Sequence, residues 1–255
     1  MANLTDLFPV EDYVVGSDSK KLEQIYVYNT NLTTQNNGGA CCQFTVPDGV
    51  TWARFEVWGG GGNGPGGCCC QQPAQSGGAG AYARKTILVD GGDTYTVCAG
   101  GTGCCTCSCC GAEGYPSFVQ DDTVSGGQSI ALCASGGPVG CGRCFMFSSC
   151  RCIGQTCVYC LSESACGYDF AVPKISGASR PYWCGRGAFQ WVPQGPIVGG
   201  GFKPSKDYCC TGRGAEMIQA RASFPGGGGA GAQTGGDAYC YGDLGAGGLV
   251  IITYR

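Results

Sequence analysis

Apolar and polar residues alternate most clearly from Thr51 to Trp58, where Ala53, Phe55 and Val57 fall on one face and Arg54 and Glu56 on the other. That is the two-residue period of a half-buried β-strand. Cys42 to Val46 reads as a short strand and Pro47-Asp48-Gly49 as a turn, so these segments predict a hairpin with the strand that follows. A second hairpin is expected from Ala81 to Val89 and Thr94 to Cys98 through Asp90-Gly91-Gly92-Asp93, whose glycines accept positive φ. Ser129 to Ala134 adds a short strand. Gly247 to Tyr254 closes the chain with a strand apolar on both faces, which belongs in the middle of a sandwich or at a subunit interface.

Between these elements the pattern changes. Residues 1–40 are glycine-poor and hold a helix-capable stretch, Ser17 to Ile25, with Ser17 or Asp18 as N-cap; they read as an arm or anchor. The run Gly59 to Gly67 is too rich in glycine for a strand interior and predicts a loop or an extended, polyproline-like segment. Periodicity is weak from Cys141 to about Gln219, within an insertion of roughly 139–219. No long helix is expected. The chain therefore reads as all-β: a jelly-roll-like β-sandwich over 41–255, with glycine-rich extended loops and a cysteine-rich insertion.

Composition narrows the function classes. Among 255 residues there are 49 Gly, 23 Cys and no His. Without imidazole there is no Ser-His-Asp triad and no Cys-His pair, so an enzyme is not expected. Fifteen basic and eighteen acidic residues give a net charge of −3 without a basic run, which argues against nucleic acid as a partner. The longest apolar run, Ile130 to Ala134, is far too short for insertion into a membrane. Gly59, Gly61 and Gly64 fit the dinucleotide fingerprint after a strand, but Cys68-Cys69-Cys70 follows rather than a helix, so the match reflects composition.

One series of motifs carries a resemblance. Phe44-Thr-Val-Pro-Asp-Gly-Val50, Phe55-Glu-Val-Trp-Gly-Gly-Gly-Gly62, Gly77-Gly-Ala-Gly-Ala-Tyr-Ala83, Gly91-Gly-Asp-Thr-Tyr-Thr-Val97 and Gly245-Ala-Gly-Gly-Leu-Val-Ile-Ile252 together resemble the glycine-rich domain of bacteriophage tail-fibre and virion structural proteins. The resemblance implies a β-sandwich decorated with glycine-rich loops. It also implies a virion component, a homotrimer as fibres usually are, with some family members contacting the host surface. The cysteines and the middle insertion depart from the family pattern.

The cysteines admit two chemistries. Met1 to Pro9 has neither a basic n-region nor an apolar h-region, so the expectation is synthesis in a host cytoplasm and release by lysis. Structural disulfides, formed after release, are the favoured reading. Cys141, Cys144, Cys157 and Cys160 form a C-x₂-C-x₁₂-C-x₂-C array that suits four-thiolate zinc or iron, although Cys150, Cys152 and Cys166 crowd it as a disulfide knot would. A thiolate metal-binding protein is thus the alternative, and no other cofactor is expected. Because 23 is odd, at least one thiol stays free or crosses to a neighbouring subunit if all the others pair within the chain.

Tyr182, Trp183, Phe189 and Trp191, with Arg186 among them, offer aromatic faces and a planar cation suited to stacking on a host glycan, or else a small core under a long loop. Asp121-Asp122 reads as a solvated polar turn rather than a glycosidase pair. The expectation is a non-enzymatic fibre or tip subunit, or a capsid-surface decoration protein. Its arm would bind other virion proteins, and rigid glycine and cysteine loops would face outward, positioned for host attachment.

Overall fold

The computed structural model describes residues 22–28, 39–64, 76–103, 112–140, 160–181, 188–193, 202–205, 222, 224–229 and 244–255. Within them the chain is an all-β sandwich. One sheet has the order β1-β13-β3-β4-β9, from β1 (Glu23–Tyr28), β13 (Leu249–Tyr254), β3 (Trp52–Trp58), β4 (Tyr82–Leu88) and β9 (Phe170–Val172). The other has the order β2-β5-β6-β7-β8, from β2 (Ala40–Thr45), β5 (Thr94–Ala99), β6 (Ser117–Thr123), β7 (Ala131–Ala134) and β8 (Ala165–Cys166). All pairings are antiparallel. A separate three-stranded sheet joins β10 (Ala178–Pro181), β11 (Ala188–Pro193) and β12 (Phe202–Ser205).

The core follows from the period of two. Ala53, Phe55 and Val57 of β3 are fully buried, as are Val250 and Ile252 of β13; Phe44, Tyr95, Val97, Val119 and Leu132 enter from the opposite sheet. Rings from the two sheets meet across the gap. Phe55 lies 6.2 Å from Phe44 and 5.6 Å from Tyr95 between ring centroids, and Tyr254 lies 5.5 Å from Phe44, all in edge or tilted geometry. The doubly apolar β13 sits inside its sheet between β1 and β3, as its sequence predicts.

Neither expected hairpin forms. β2 pairs with β5 while β3 pairs with β4 and β13, so the links 46–51 and 89–93 each cross from one sheet to the other. Val46, Val50 and Val89 are buried and plug the end of the core, while the turns at 47–49 and 90–92 between them form as expected and face solvent. The links bond to each other: Val46 N donates to Asp93 O at 2.8 Å, Gly92 N to Val46 O at 2.9 Å and Val89 N to Thr51 O at 3.1 Å. Gly92 has φ of 89°, a conformation glycine adopts without steric cost.

Asp93 anchors this end. Its carboxylate accepts from the N–H groups of Ser125 at 2.8 Å, Gly127 at 2.9 Å and Asp90 at 3.1 Å. Burial opposes its ionisation, but these bonds together outweigh that cost and hold its carboxyl below the usual carboxylate value.

Three further expectations change. Residues 23–25, read as part of a helix-capable stretch, lie in β1; Ile25, Tyr26 and Val27 are β-branched or aromatic, and pairing with β13 decides their conformation. Asp121 and Asp122 lie in β6 rather than in a turn, where Asp121 accepts from Ile130 N at 2.7 Å. The weakly periodic insertion contains β8 to β12 and a one-turn helix, Leu161–Ser164.

Candidate functional site

At the end of the sandwich opposite the two links, six strands adjoin extended segments, five of them rich in glycine. Segment 59–64 follows β3, 100–103 follows β5 and 135–140 follows β7; segments 76–81, 112–116 and 244–248 lead into β4, β6 and β13. Ser117 joins the two sheets at this junction, its Oγ accepting from Gly100 N at 2.8 Å and donating to Trp58 O. Segment 225–229 packs among the six.

Hydrogen bonding shows how these segments are built. Gly59 N donates to Ala81 O, Gly60 N to Tyr115 O and Gly61 N to Ala246 O; Gly62 N returns to the first neighbour at Gly78 O, and Asn63 N to the second at Ala112 O, all at 2.7–2.9 Å. Segment 76–81 repeats the rule. Gly77 and Gly80 donate to 225–229, Gly78 and Ala81 to 135–140, and Ala79 to Ile175. Donors that revisit a neighbour every third residue identify an extended helix of three residues per turn, the polyproline II conformation, which has no internal hydrogen bonds and must find partners outside itself. Here most of the partners lie in the neighbouring segments. Segment 59–64 is the hub, since its carbonyls also accept from Gly137, Gly140 and Gly229.

Side chains are excluded by the spacing. A Cβ on Gly61 would lie 1.8 Å from Gly227 O, and one on Gly136 1.8 Å from Gly114 O. Segments 59–64, 76–81, 100–103, 225–229 and 245–248 are buried. This corrects the expectation that the glycine stretches face outward as loops: they form a second, backbone-only core stacked on the apolar one. Backbone hydrogen bonds hold the described segments together; Cys68 to Cys70 and Cys104 to Cys110, which flank them, lie outside the described residues.

Asn63 ties the bundle through its side chain as well as its backbone, a role that its sequence position alone did not reveal. Fully buried, it donates from Nδ2 to Gly103 O and accepts at Oδ1 from Gly245 N at 2.9 Å, while its own N and O bond to Ala112 O and Gly140 N. One residue thus ties five segments near the far end of the bundle. The available signal was its position as the single polar side chain in the run Gly59 to Gly67.

Cysteines organise the outer face of the second sheet. Register places Cys41, Cys98, Phe118, Cys133 and Cys166 opposite one another in a single row across β2, β5, β6, β7 and β8. Their neighbours Val97, Ala99, Val119, Leu132, Ala134 and Ala165 face the core, so the row points away from it. Cys41 and Cys98 are joined by a disulfide with Cα atoms 4.1 Å apart. Cys133 and Cys166 carry free thiols. Burial, reinforced by Cys166, pushes the Cys133 thiol up to about 11.

Of the four candidate metal ligands, Cys160 is exposed and immediately precedes the helix Leu161–Ser164; Cys141, Cys144 and Cys157 lie outside the described residues. Among the described residues no group of three His, Cys, Asp or Glu side chains is placed to hold a metal. Phe189 and Trp191 occupy alternate positions of the central strand β11, with Arg180 opposite Phe189, while Tyr182, Trp183 and Arg186 lie outside the described residues. No helix among the described residues is long and apolar enough to cross a membrane. No protein-family model matches the chain, and no curated protein is significantly similar to it.

Proposed function

We propose that this chain is a non-enzymatic virion structural protein, a fibre or tip subunit that displays a rigid surface for host attachment. The observation that carries the reading is the interlocked glycine bundle. Its segments are packed too closely for most side chains, and each extended segment is fixed to its neighbours by backbone hydrogen bonds. Such a unit serves to hold shape at the end of a sandwich. Gly64, Gly103 and Gly140 adjoin the Asn63 knot, so this end of the bundle is a stiff base.

The opposite requirement, attachment to the particle, suits the N-terminal region. β1 is an edge strand, and Leu22, Tyr26 and Tyr28 are more than half exposed, a surface of the kind that other virion proteins or further copies in a homotrimer would cover. On this reading the aromatic stretch 180–192 contacts a host-surface glycan. The test is fractionation of particles from the lysate of cells that make the chain. The expected result is stoichiometric co-purification with particles and gold labelling by a specific antibody at one fixed site, a fibre or tip. Recovery only in the particle-free fraction would overturn the proposal, and uniform labelling over the capsid would favour a decoration protein.

A further inference from the structure

We infer that Cys133 and Cys166 are the site of a second cross-strand disulfide, closed by exchange with a small-molecule disulfide of the glutathione class. The inference rests on strand register alone and is independent of the function proposed above. Cys133 of β7 and Cys166 of β8 are direct partners, as Cys41 and Cys98 are, and all four lie in one row on the outer face of the same sheet. Directly opposed residues of antiparallel strands have Cα atoms roughly 4.5–5.5 Å apart, within the range of about 4.4–6.8 Å that a disulfide spans. The two side chains are within hydrogen-bonding reach, for a side-chain hydrogen bond with Cys166 is among the causes that raise the Cys133 thiol.

The location gives the bond a task. β8 has only two residues, yet the chain turns there, through Gly167 at φ of 65°, to reach β9 on the edge of the other sheet. Segment 165–172 therefore straps the two sheets at one side of the sandwich, and its hold on β7 rests on the pairs Cys133–Cys166 and Ala134–Ala165. The existing disulfide joins β2 to β5 at the other edge of that sheet. A second bridge would secure the sheet at both edges.

The exchange balances without metal or enzyme. Cys166, the exposed partner, attacks as thiolate on one sulfur of the small disulfide, giving a mixed disulfide and one small thiol. Cys133, once deprotonated, attacks the Cys166 sulfur and releases the second small thiol. Two protein thiols are oxidised, one small disulfide is reduced to two thiols, and the two protons end on those thiols.

The full chain would be equilibrated with reduced and oxidised glutathione, denatured, treated with an alkylating agent, digested and mapped by mass spectrometry. The expected result is a Cys133–Cys166 linked peptide beside a Cys41–Cys98 one. Alkylation or glutathionylation of both Cys133 and Cys166, or their linkage to other cysteines, would overturn the inference. Hydrogen exchange on the wild-type chain is a second measurement: mild reduction should speed exchange in 165–172 while leaving β3 and β13 unchanged, and no change in 165–172 would count against it. In Cys166→Ser, Cys133 should become fully alkylated after denaturation; a Cys133 that stays blocked would show that its partner lies elsewhere.

Discussion

The carboxamide oxygen of Asn63 accepts a hydrogen bond from Gly245 N at 2.9 Å, joining positions 182 residues apart in the middle of a glycine bundle. The same side chain donates to Gly103 O. In Asn63→Leu the shape is retained, but a buried N–H and a buried C=O lose their partners. Each such loss costs roughly 1–3 kcal/mol, so urea unfolding should report a loss of about 2–4 kcal/mol. A loss below about 0.5 kcal/mol would mean that the bundle does not depend on this knot.

Gly61 and Gly92 separate two reasons for needing glycine. A methyl group on Gly61 meets Gly227 O at 1.8 Å, and both residues are held by hydrogen bonds to 244–248, so neither has room to yield. Gly92 has nothing within 4 Å of its would-be Cβ and is demanding only in its φ of 89°. Gly61→Ala should cost about 4 kcal/mol or more, or prevent folding, whereas Gly92→Ala should cost about 1 kcal/mol. Calorimetric melting of the two variants checks this, and equal effects would refute the backbone-only core.

The strands were legible and their partners were not. Ala53, Phe55 and Val57 announce a buried face through period alone, and Leu249 to Tyr254 announces an interior strand by lacking a polar face. Turn chemistry at Pro47-Asp48-Gly49 and Asp90-Gly91-Gly92-Asp93 marks a reversal without saying which sheet the next strand joins. That choice was made by Val46, Val50 and Val89, whose burial draws both links across the core. β6 was hidden because Gln120 to Thr123 is polar, although Val119 of the same strand is fully buried.

The glycine bundle was half legible. The run from Gly59 predicts extended, polyproline-like backbone, but glycine has no side chain, so its sequence carries no amphipathic period from which burial can be read. Only the bonding partners reveal that such helices pack on one another. Likewise the 23 cysteines predict disulfides, while the row that aligns Cys41, Cys98, Cys133 and Cys166 needs the register of five strands.

Tyr95 sets a limit at high pH. Burial, with Asp93 and Asp121 nearby, pushes its hydroxyl up to about 12 from the ordinary 10. A raised folded-state value means that its contribution to stability is complete below pH 10 and is lost as pH rises towards 12. Tyr95→Phe keeps the ring against Phe55 and loses only a long bond, 3.4 Å, to Gln128 O. The variant should melt within about 1 kcal/mol of wild type at pH 7 and resist alkaline unfolding better. Identical alkaline midpoints by tyrosinate absorbance and circular dichroism would exclude Tyr95 as the trigger.

Asp93 sets the corresponding limit in acid. Its carboxyl is held below the ordinary 3.8 because N–H groups of Ser125, Asp90, Gly126 and Gly127 point at the charged form. A lowered folded-state value gives stability that is complete above about pH 4 and disappears as pH falls through the lowered value. Asp93→Asn keeps an acceptor oxygen but loses the charge and turns an NH₂ towards donors, so it should be less stable by about 2 kcal/mol at pH 7. Because the asparagine does not titrate, the gap between variant and wild type should narrow as pH drops from 4 to 2. Urea midpoints measured across that range decide the matter: a gap that stays constant would show that Asp93 acts through packing of the 89–93 and 124–128 links rather than through its charge.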